Sequence, residues 1–354
     1  MLAGSGAARH YGYSSARVKS MESQILDRKL MHDIINAKDV STILTMLFQT
    51  EFKKDIEDFG GMEIKHELID FALSRNLARN VSKLVQVSPT TERKLIRSIV
   101  GKWDLYNAKT ILEAKARGIG YDAVAGTLID YGVYNSSVAK EIMREESIEN
   151  IFGKLMLNSP YRDILSEGLE VYKKDKNLLH AIGEIDKAYY KSLGGVITGL
   201  RVIQNEAARI IKMEIDMKNI MFLIRGKIPG AKFQDIGSGL IPGGNVSLPE
   251  LEQLYNGAKD IDAMVQQVKV YDLKDAMGVY KSAGQLLAFE ISMKNQIFTS
   301  SVRLLNHSIL SFGAILAYAY MKEIEIYTLR IAINSRIYGL SREETERLII
   351  WKAE

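Results

Sequence analysis

The chain has 354 residues, with 47 Lys and Arg against 43 Asp and Glu, a formal net charge of +4, 47% hydrophobic residues and no cysteine. The near-balanced charge argues against a dedicated nucleic-acid binder, and the ordinary hydrophobic content excludes wholesale disorder. The absence of cysteine excludes disulfides, iron–sulfur clusters, cysteine zinc sites and thiol catalysis.

Only five prolines interrupt the chain, which predicts a mostly α-helical protein. Length alone predicts two or three domains. The opening segment, residues 1–19, has no apolar core of the kind a secretory signal needs. Short amphipathic helices come first, with a helical apolar stripe at Val40, Ile43, Leu44 and Leu47. A long helix is predicted from Ser88-Pro89, with proline at its first position, to Gly118. The stripe returns at Ile148, Ile151, Phe152 and Leu155. A second long helix is predicted from about Gly195 to Gly226, with apolar Val196, Leu200, Ile203, Ala207, Ile210 and Ile211. A linker follows over Ile228–Pro249, holding Pro229, Pro242, Pro249 and five glycines. Ser247 and Glu250 read as a capping box, and the stripe comes back at Ile261, Met264, Val265 and Val268. A third long helix is predicted from about Val302 to Ile337, and Ser341 with Glu344 forms another capping box. The longest apolar window, Ile309–Met321, is shorter than the roughly 18–20 residues a membrane span needs. It reads as a helix buried within a fold, and the chain as soluble and cytoplasmic.

Two sets of positions repeat. Asp104, Asn107, Lys115 and Gly118 recur as Asp216, Asn219, Lys227 and Gly230, then as Glu325, Thr328, Arg336 and Gly339, at separations of 112 and 109 residues. The apolar stripe recurs at separations of 108 and 113. Two independent sets with one period and one order predict an internal triplication, with repeats at 1–130, 131–244 and 245–354. That period is too long for a solenoid unit and reads as a repeated domain. The glycines fit helix C-terminal positions, where a left-handed conformation is needed.

Residues 11 apart on a helix share a face but stand about 16 Å apart along the axis. Asp216 therefore cannot pair with Lys227, nor Asp104 with Lys115, nor Glu325 with Arg336. The expectation is that Asp104, Lys115, Asp216, Asn219, Lys227, Glu325 and Arg336 make polar contacts between adjacent repeats, acid to base. A solvated helix face is the competing reading. A parallel stripe, Glu214 and Arg225, has reversed signs as Lys102 and Glu113.

Enzyme signatures fail one by one. The five histidines show no metal-ligand spacing; His66-Glu67 opens like a zincin motif, but Asp70 stands where the second histidine belongs. Gly226-Lys227-Ile228-Pro229-Gly230 lacks phosphate-loop spacing, and Gly237-Ser238-Gly239 is no dinucleotide fingerprint. No nucleophile elbow is present. The expectation is no catalytic residue, no cofactor and no metal site. Seventeen tyrosines suit half-buried protein interfaces.

Tyr11-Gly12-Tyr13-Ser14-Ser15-Ala16-Arg17-Val18, followed by Glu22 and Leu26, resembles the N-terminal signature of the C subunit of archaeal and bacterial A/V-type ATPases, whose eukaryotic counterpart is the V-ATPase d subunit. Glu214-Ile215-Asp216 through Asn219 and on to Lys227 is similar to that family's second repeat. Glu323-Ile324-Glu325 through Arg330, then Ile337 to Ser341, is similar to its third, with Thr328-Leu329 in place of the usual Asn-Leu pair. The resemblance implies an all-α fold of three similar helical domains arranged as a pseudo-threefold funnel. It implies a non-catalytic central-stalk part of a rotary motor, a socket joining the D and F subunits of the central shaft to the membrane rotor ring. It also implies a place peripheral to the membrane, held through that ring. The competing expectations are a helical scaffold unrelated to rotary motors and an all-α enzyme using paired carboxylates with magnesium.

Overall fold

The computed structural model describes residues 2–57, 66–199, 205–307 and 310–350. Among the described residues there are nineteen α-helices, two single 3-10 turns and no strand, as the proline scarcity predicts. The chain divides into two compact units, residues 1–43 with 197–354, and residues 44–196.

The chain begins in the first unit with α1 (Leu2–Glu22) and α2 (Arg28–Ile35), then passes through α3 (Val40–Leu47) into the second. The second unit carries α4 (Lys53–Glu57), α5 (His66–Val87), α6 (Thr90–Ala116), α7 (Tyr121–Val124), α8 (Ser136–Ile142), α9 (Ile148–Met156), α10 (Arg162–Asp175) and α11 (Leu178–Gly199). The return to the first unit brings α12 (Asn205–Lys227), α13 (Phe233–Ile236), α14 (Leu248–Gly257), α15 (Ile261–Val265) and α16 (Lys274–Ala283). It closes with α17 (Leu287–His307), α18 (Phe312–Ile337) and α19 (Arg342–Leu348).

Within the second unit α6 packs against α5, α8 and α9. Within the first, α18 packs against α1, α2, α12, α17 and α19. Every residue of α18 from Phe312 to Met321 is buried, which is why this segment is apolar on all sides. Ile309, the first residue of that apolar window, lies outside the described residues.

Helix ends follow local chemistry. Asp27, Asn135 and Ser247 each accept a backbone N–H three residues on and open α2, α8 and α14. Asp39, Ser147 and Asp260 do the same at α3, α9 and α15. Both predicted capping boxes are present, at Ser247–Glu250 and Ser341–Glu344. Gly118, Gly230 and Gly339 have φ of +68°, +70° and +67°, just beyond the ends of α6, α12 and α18. A side chain there would meet the Cβ clash that the left-handed region imposes.

Two helix starts, those of α6 and α18, differ from expectation. Pro89 takes the cap position rather than the first turn, and the Ser88 hydroxyl turns back onto the Leu84 carbonyl. Gly195 and Val196 belong to α11, and Asn205–Lys227 to α12; Leu200, Ile203 and the side chain of Ala207 lie outside the described residues. Val302 belongs to α17, and α18 begins after Leu310, at φ +60°, with Ser311 as its cap. Apolar periodicity alone runs through such a helix-to-helix junction unnoticed.

Candidate functional site

The recurring polar residues lie on the long helices α6, α12 and α18, and the structure gives them backbone partners. In the second unit, one oxygen of Asp104 accepts the N–H groups of Val133 (2.8 Å) and Tyr134 (3.1 Å). Its other oxygen accepts the Tyr161 hydroxyl (3.0 Å). Asn107 accepts from the Ile129 N–H (2.9 Å) and donates to the Ile129 and Tyr134 carbonyls (2.6 and 3.0 Å). Asp104 and Asn107 are both buried.

The same bonds appear in the first unit. Asp216 accepts the N–H groups of Asn245 (3.0 Å) and Val246 (3.1 Å), one on each oxygen, and the Asn245 amide as well (2.8 Å). Asn219 makes a two-way bond with Ile241, 2.8 Å in each direction. Between the two copies the helix residues move by 112 and so do their partners.

Glu325 on α18 accepts the N–H of Leu26 (2.6 Å), and its second oxygen holds the Lys322 ammonium. Both side chains are sealed from water, at 0% and 1% exposure, so this is a fully buried ion pair. The buried Thr328 stands where the other copies have asparagine, and its hydroxyl has no partner among the described residues. The reason lies opposite. Where the other copies hold a loop at Ile129 or Ile241, this one has the end of α1, whose amides are already bonded within the helix.

The bases hold the other end. Lys227 donates to the Ala258 carbonyl (2.8 Å) at the end of α14, and its ammonium sits 4.1 Å from the Tyr255 ring centre. Arg336 donates to the carbonyls of Ile35 and Ala37 (2.6 Å for the latter) at the end of α2, and reaches Thr345. Lys115 makes no corresponding bond among the described residues.

This geometry explains the eleven-residue spacing. Asp216 binds the amides just before α14, and Lys227 binds the carbonyl just after it. Eleven residues of α12 rise about 16 Å, and the ten residues of α14 span about 15 Å. One long helix therefore grips a short helix lying alongside it at both ends. The acid faces the positive N-terminal end of the short helix dipole and the base faces the negative end. Glu325 and Arg336 grip α2 in the same way. The acids thus bond amides, and the bases bond carbonyls, where sequence reading expects acid to meet base.

Two glycines make room for the shorter acids. A Cβ on Gly132 would lie 2.1 Å from a carboxylate oxygen of Asp104, and a Cβ on Gly244 would lie 2.1 Å from one of Asp216. Opposite Glu325 the matching position is Gln24, and here the acid is longer by one carbon. Burial holds the Asp104 and Asp216 carboxyls above the usual range, against the lowering effect of their hydrogen bonds. Burial likewise raises the Tyr161 phenol, with the Asp104 charge beside it adding to the effect.

Each acid is spent on backbone amides, and Lys227 and Arg336 on carbonyls or a ring. Among the described residues no cluster of His, Asp or Glu could hold a metal ion, and no helix is long and apolar enough to cross a membrane.

The family described as ATP synthase (C/AC39) subunit matches residues 14–348. The chain belongs to that family. It is 30% identical over 347 residues to the C subunit of the A-type ATP synthase of Archaeoglobus fulgidus, covering 96% of each chain. It is 23% identical to the corresponding C subunit of Thermoplasma acidophilum, over 95% of this chain and 97% of that one. It is 26% identical to that of Methanococcoides burtonii, over 96% and 94%. The C/AC39 subunit is a structural, non-catalytic part of its complex, so neither the magnesium-enzyme reading nor the unrelated-scaffold reading applies.

Sequence reading of this C/AC39 chain picks out the grip residues on the long helices and misses everything opposite them. Lys322, Tyr134 and Tyr161 have no counterpart in the repeated pattern. Gly132 and Gly244 do share the 112-residue offset with Asp104 and Asp216, a signal that sequence comparison could use. Glu214, on the parallel stripe, accepts the Tyr320 hydroxyl, while Arg225 lies 3.9 Å from Glu290.

Proposed function

We propose that this chain is the central-stalk socket of a rotary A/V-type ATPase. It joins the D and F subunits of the central shaft to the membrane rotor ring, in ion-driven ATP synthesis or ATP-driven ion pumping. The observation that carries this reading is the family match over residues 14–348. The grips support it physically. A coupling part must pass torque without bending, and each gripped short helix is obliged to move with its long helix. Close-packed interiors resist compression, so such a body transmits strain.

Three similar helical domains, at 1–130, 131–244 and 245–354, in a pseudo-threefold funnel, are part of the same proposal. The recurrence of grip, cap and glycine positions at offsets of 108 to 113 residues supports that division. Of the seven residues, Asp104, Asp216, Lys227, Glu325 and Arg336 act in it as contacts between repeats, the last two joining the third to the first; Asn219 bonds Ile241 within its own repeat, and Lys115 has no such bond among the described residues. The chain binds no nucleic acid and works on the cytoplasmic side, held to the membrane through the ring.

Affinity purification of the tagged full-length chain from its native membranes tests this. Recovery of D, F and ring subunits in fixed ratio is expected. Recovery of stator or catalytic subunits without the shaft would overturn it.

A further inference from the structure

The helix pair α9–α10 corresponds to the helix pair α15–α16. Both α10 and α16 end in a left-handed cap, Lys176 and Gly284, whose N–H bonds the carbonyl of Tyr172 or Tyr280 at 2.8 Å. The apolar stripe places Val265 and Val268 where α9 has Phe152 and Leu155. In the α9–α10 pair both of those side chains are fully buried, and the Phe152 ring centre lies 6.4 Å from that of Tyr172. In the α15–α16 pair the aromatic partner has changed sides. Tyr280 meets Phe289 of α17 at 5.5 Å, and Phe289 stands where the other pair has Ala181, five residues past the cap. Two valines are left where phenylalanine and leucine fill the space, and α15 ends at Val265, while α9 runs on to Met156.

A cleft of about 540 Å³ opens there, with Val265, Val268, Leu273 and Met277 as its apolar lining. Tyr271 lines it too, but its hydroxyl is already donated to the Met213 carbonyl (2.6 Å). The charges around the cleft balance. Lys281 and Gln266 hold Asp262 (2.6 and 3.2 Å), and the exposed Asp272 and Lys274 add one charge of each sign. A small-molecule site needs a few placed polar groups to orient its ligand. The apolar lining offers none, and the balanced rim selects no charge. A bulky apolar side chain fits, the kind that α9 supplies to its own pair, and such anchors in apolar pockets dominate protein interfaces.

We propose that the cleft between α15 and α16 is a docking slot for a leucine or phenylalanine side chain of a neighbouring subunit in the assembled ATPase. The inference rests on the chain working as one subunit of that complex, and not on the socket position proposed above.

The chain has no cysteine, so Val268→Cys places a single reporter thiol in the slot. Maleimide labelling of this subunit should be roughly ten-fold slower or more in the assembled complex than in the isolated chain. Equal rates would overturn the slot. A thiol already protected in the isolated chain would overturn it too, as the sign of a second copy or a small molecule in the cleft. Failure of the wild-type chain to enter the complex would overturn the subunit reading and the slot with it, before any variant is made. Val268→Phe then fills the slot from within, and Val268→Leu does so with the residue that stands at Leu47 and Leu155, each first checked for folding by thermal unfolding. The folded variants should reassemble into complex lacking this subunit about ten-fold more weakly than wild type. Unchanged reassembly beside a protected thiol would show that a partner covers the cleft without entering it, and would overturn insertion.

Discussion

The backbone N–H of Leu26 donates to Glu325 at 2.6 Å, across 299 residues of chain. The carboxylate that receives it is also the only acid of the three copies to carry a buried lysine, Lys322, on its other oxygen. Glu325→Gln would keep an acceptor for Leu26 but take the carboxylate charge away from the buried Lys322 ammonium. Breaking a buried ion pair from one side costs about 3–5 kcal/mol. Urea denaturation should show a loss of that size, and Lys322→Met added to Glu325→Gln should recover at least half of it.

Asp104 and Asp216 should respond differently to the same substitution. Asp104 takes both amides on one oxygen and the Tyr161 hydroxyl on the other. Asparagine can reproduce this, with its NH2 donating to the tyrosine oxygen, so Asp104→Asn should cost less than about 1 kcal/mol. Asp216 takes backbone amides on both oxygens. Asparagine would turn an NH2 toward one of them, and Asp216→Asn should cost about 1–3 kcal/mol in the same denaturation measurement. Equal losses would contradict this geometry.

The pH dependence follows from the direction of the Asp104 shift. Its native pKa is raised above the ordinary 3.8 by burial. Between those two values the native state binds more protons than the unfolded chain. The stability this carboxyl contributes is therefore greatest below 3.8 and is lost as pH rises through the native pKa. Asp104→Asn has no such titration. The stability difference should move in favour of the variant as pH goes from about 3.5 to about 7. Movement the other way would mean that hydrogen bonding, not burial, dominates at this carboxyl.

Gly244 isolates sterics from backbone strain, because its φ is not positive while that of Gly132 is +76°. A methyl group at 244 would stand 2.1 Å from an Asp216 oxygen. Gly244→Ala should cost about 1–3 kcal/mol, the range for overpacking. Gly118, where a Cβ would meet open space, carries only the left-handed strain of its φ of +68°. Gly118→Ala should cost about 1–2 kcal/mol. Adding Asp216→Ala to Gly244→Ala should be less than additive, whereas adding it to Gly118→Ala should be additive.

Thr328 offers a gain rather than a loss. Its buried hydroxyl has no partner among the described residues, so Thr328→Val removes an unpaired polar group and keeps the shape. A rise in stability of up to about 1–2 kcal/mol is expected by thermal or urea unfolding. A loss would mean that the hydroxyl holds a buried water.

Sequence periodicity made the long helices, their glycine ends and the grip residues legible, because helix geometry repeats locally and the copies share one register. The partners of those residues were not legible. Main-chain amides carry no residue-type signature, so nothing marks Val133 or Asn245 as a place where a carboxylate lands. The acid-to-base expectation failed for that reason: in sequence only charges are visible, and a charge invites a charge as its partner. The junction at Ser311 was missed because apolar spacing continues across it. The departure at Thr328 was visible at once, but its cause, an α1 amide already bonded within its own helix, needed the fold.

The span between Leu26 and Glu325 also sets a clock during synthesis. At about 5–20 residues per second, the ribosome makes Leu26 roughly 15–60 s before Glu325. Through that interval Met31, Ile34 and Ile35, fully or almost fully buried in the finished fold, have no α18 to cover them. The nascent chain therefore carries an uncovered apolar face from its first helices until its last long one emerges.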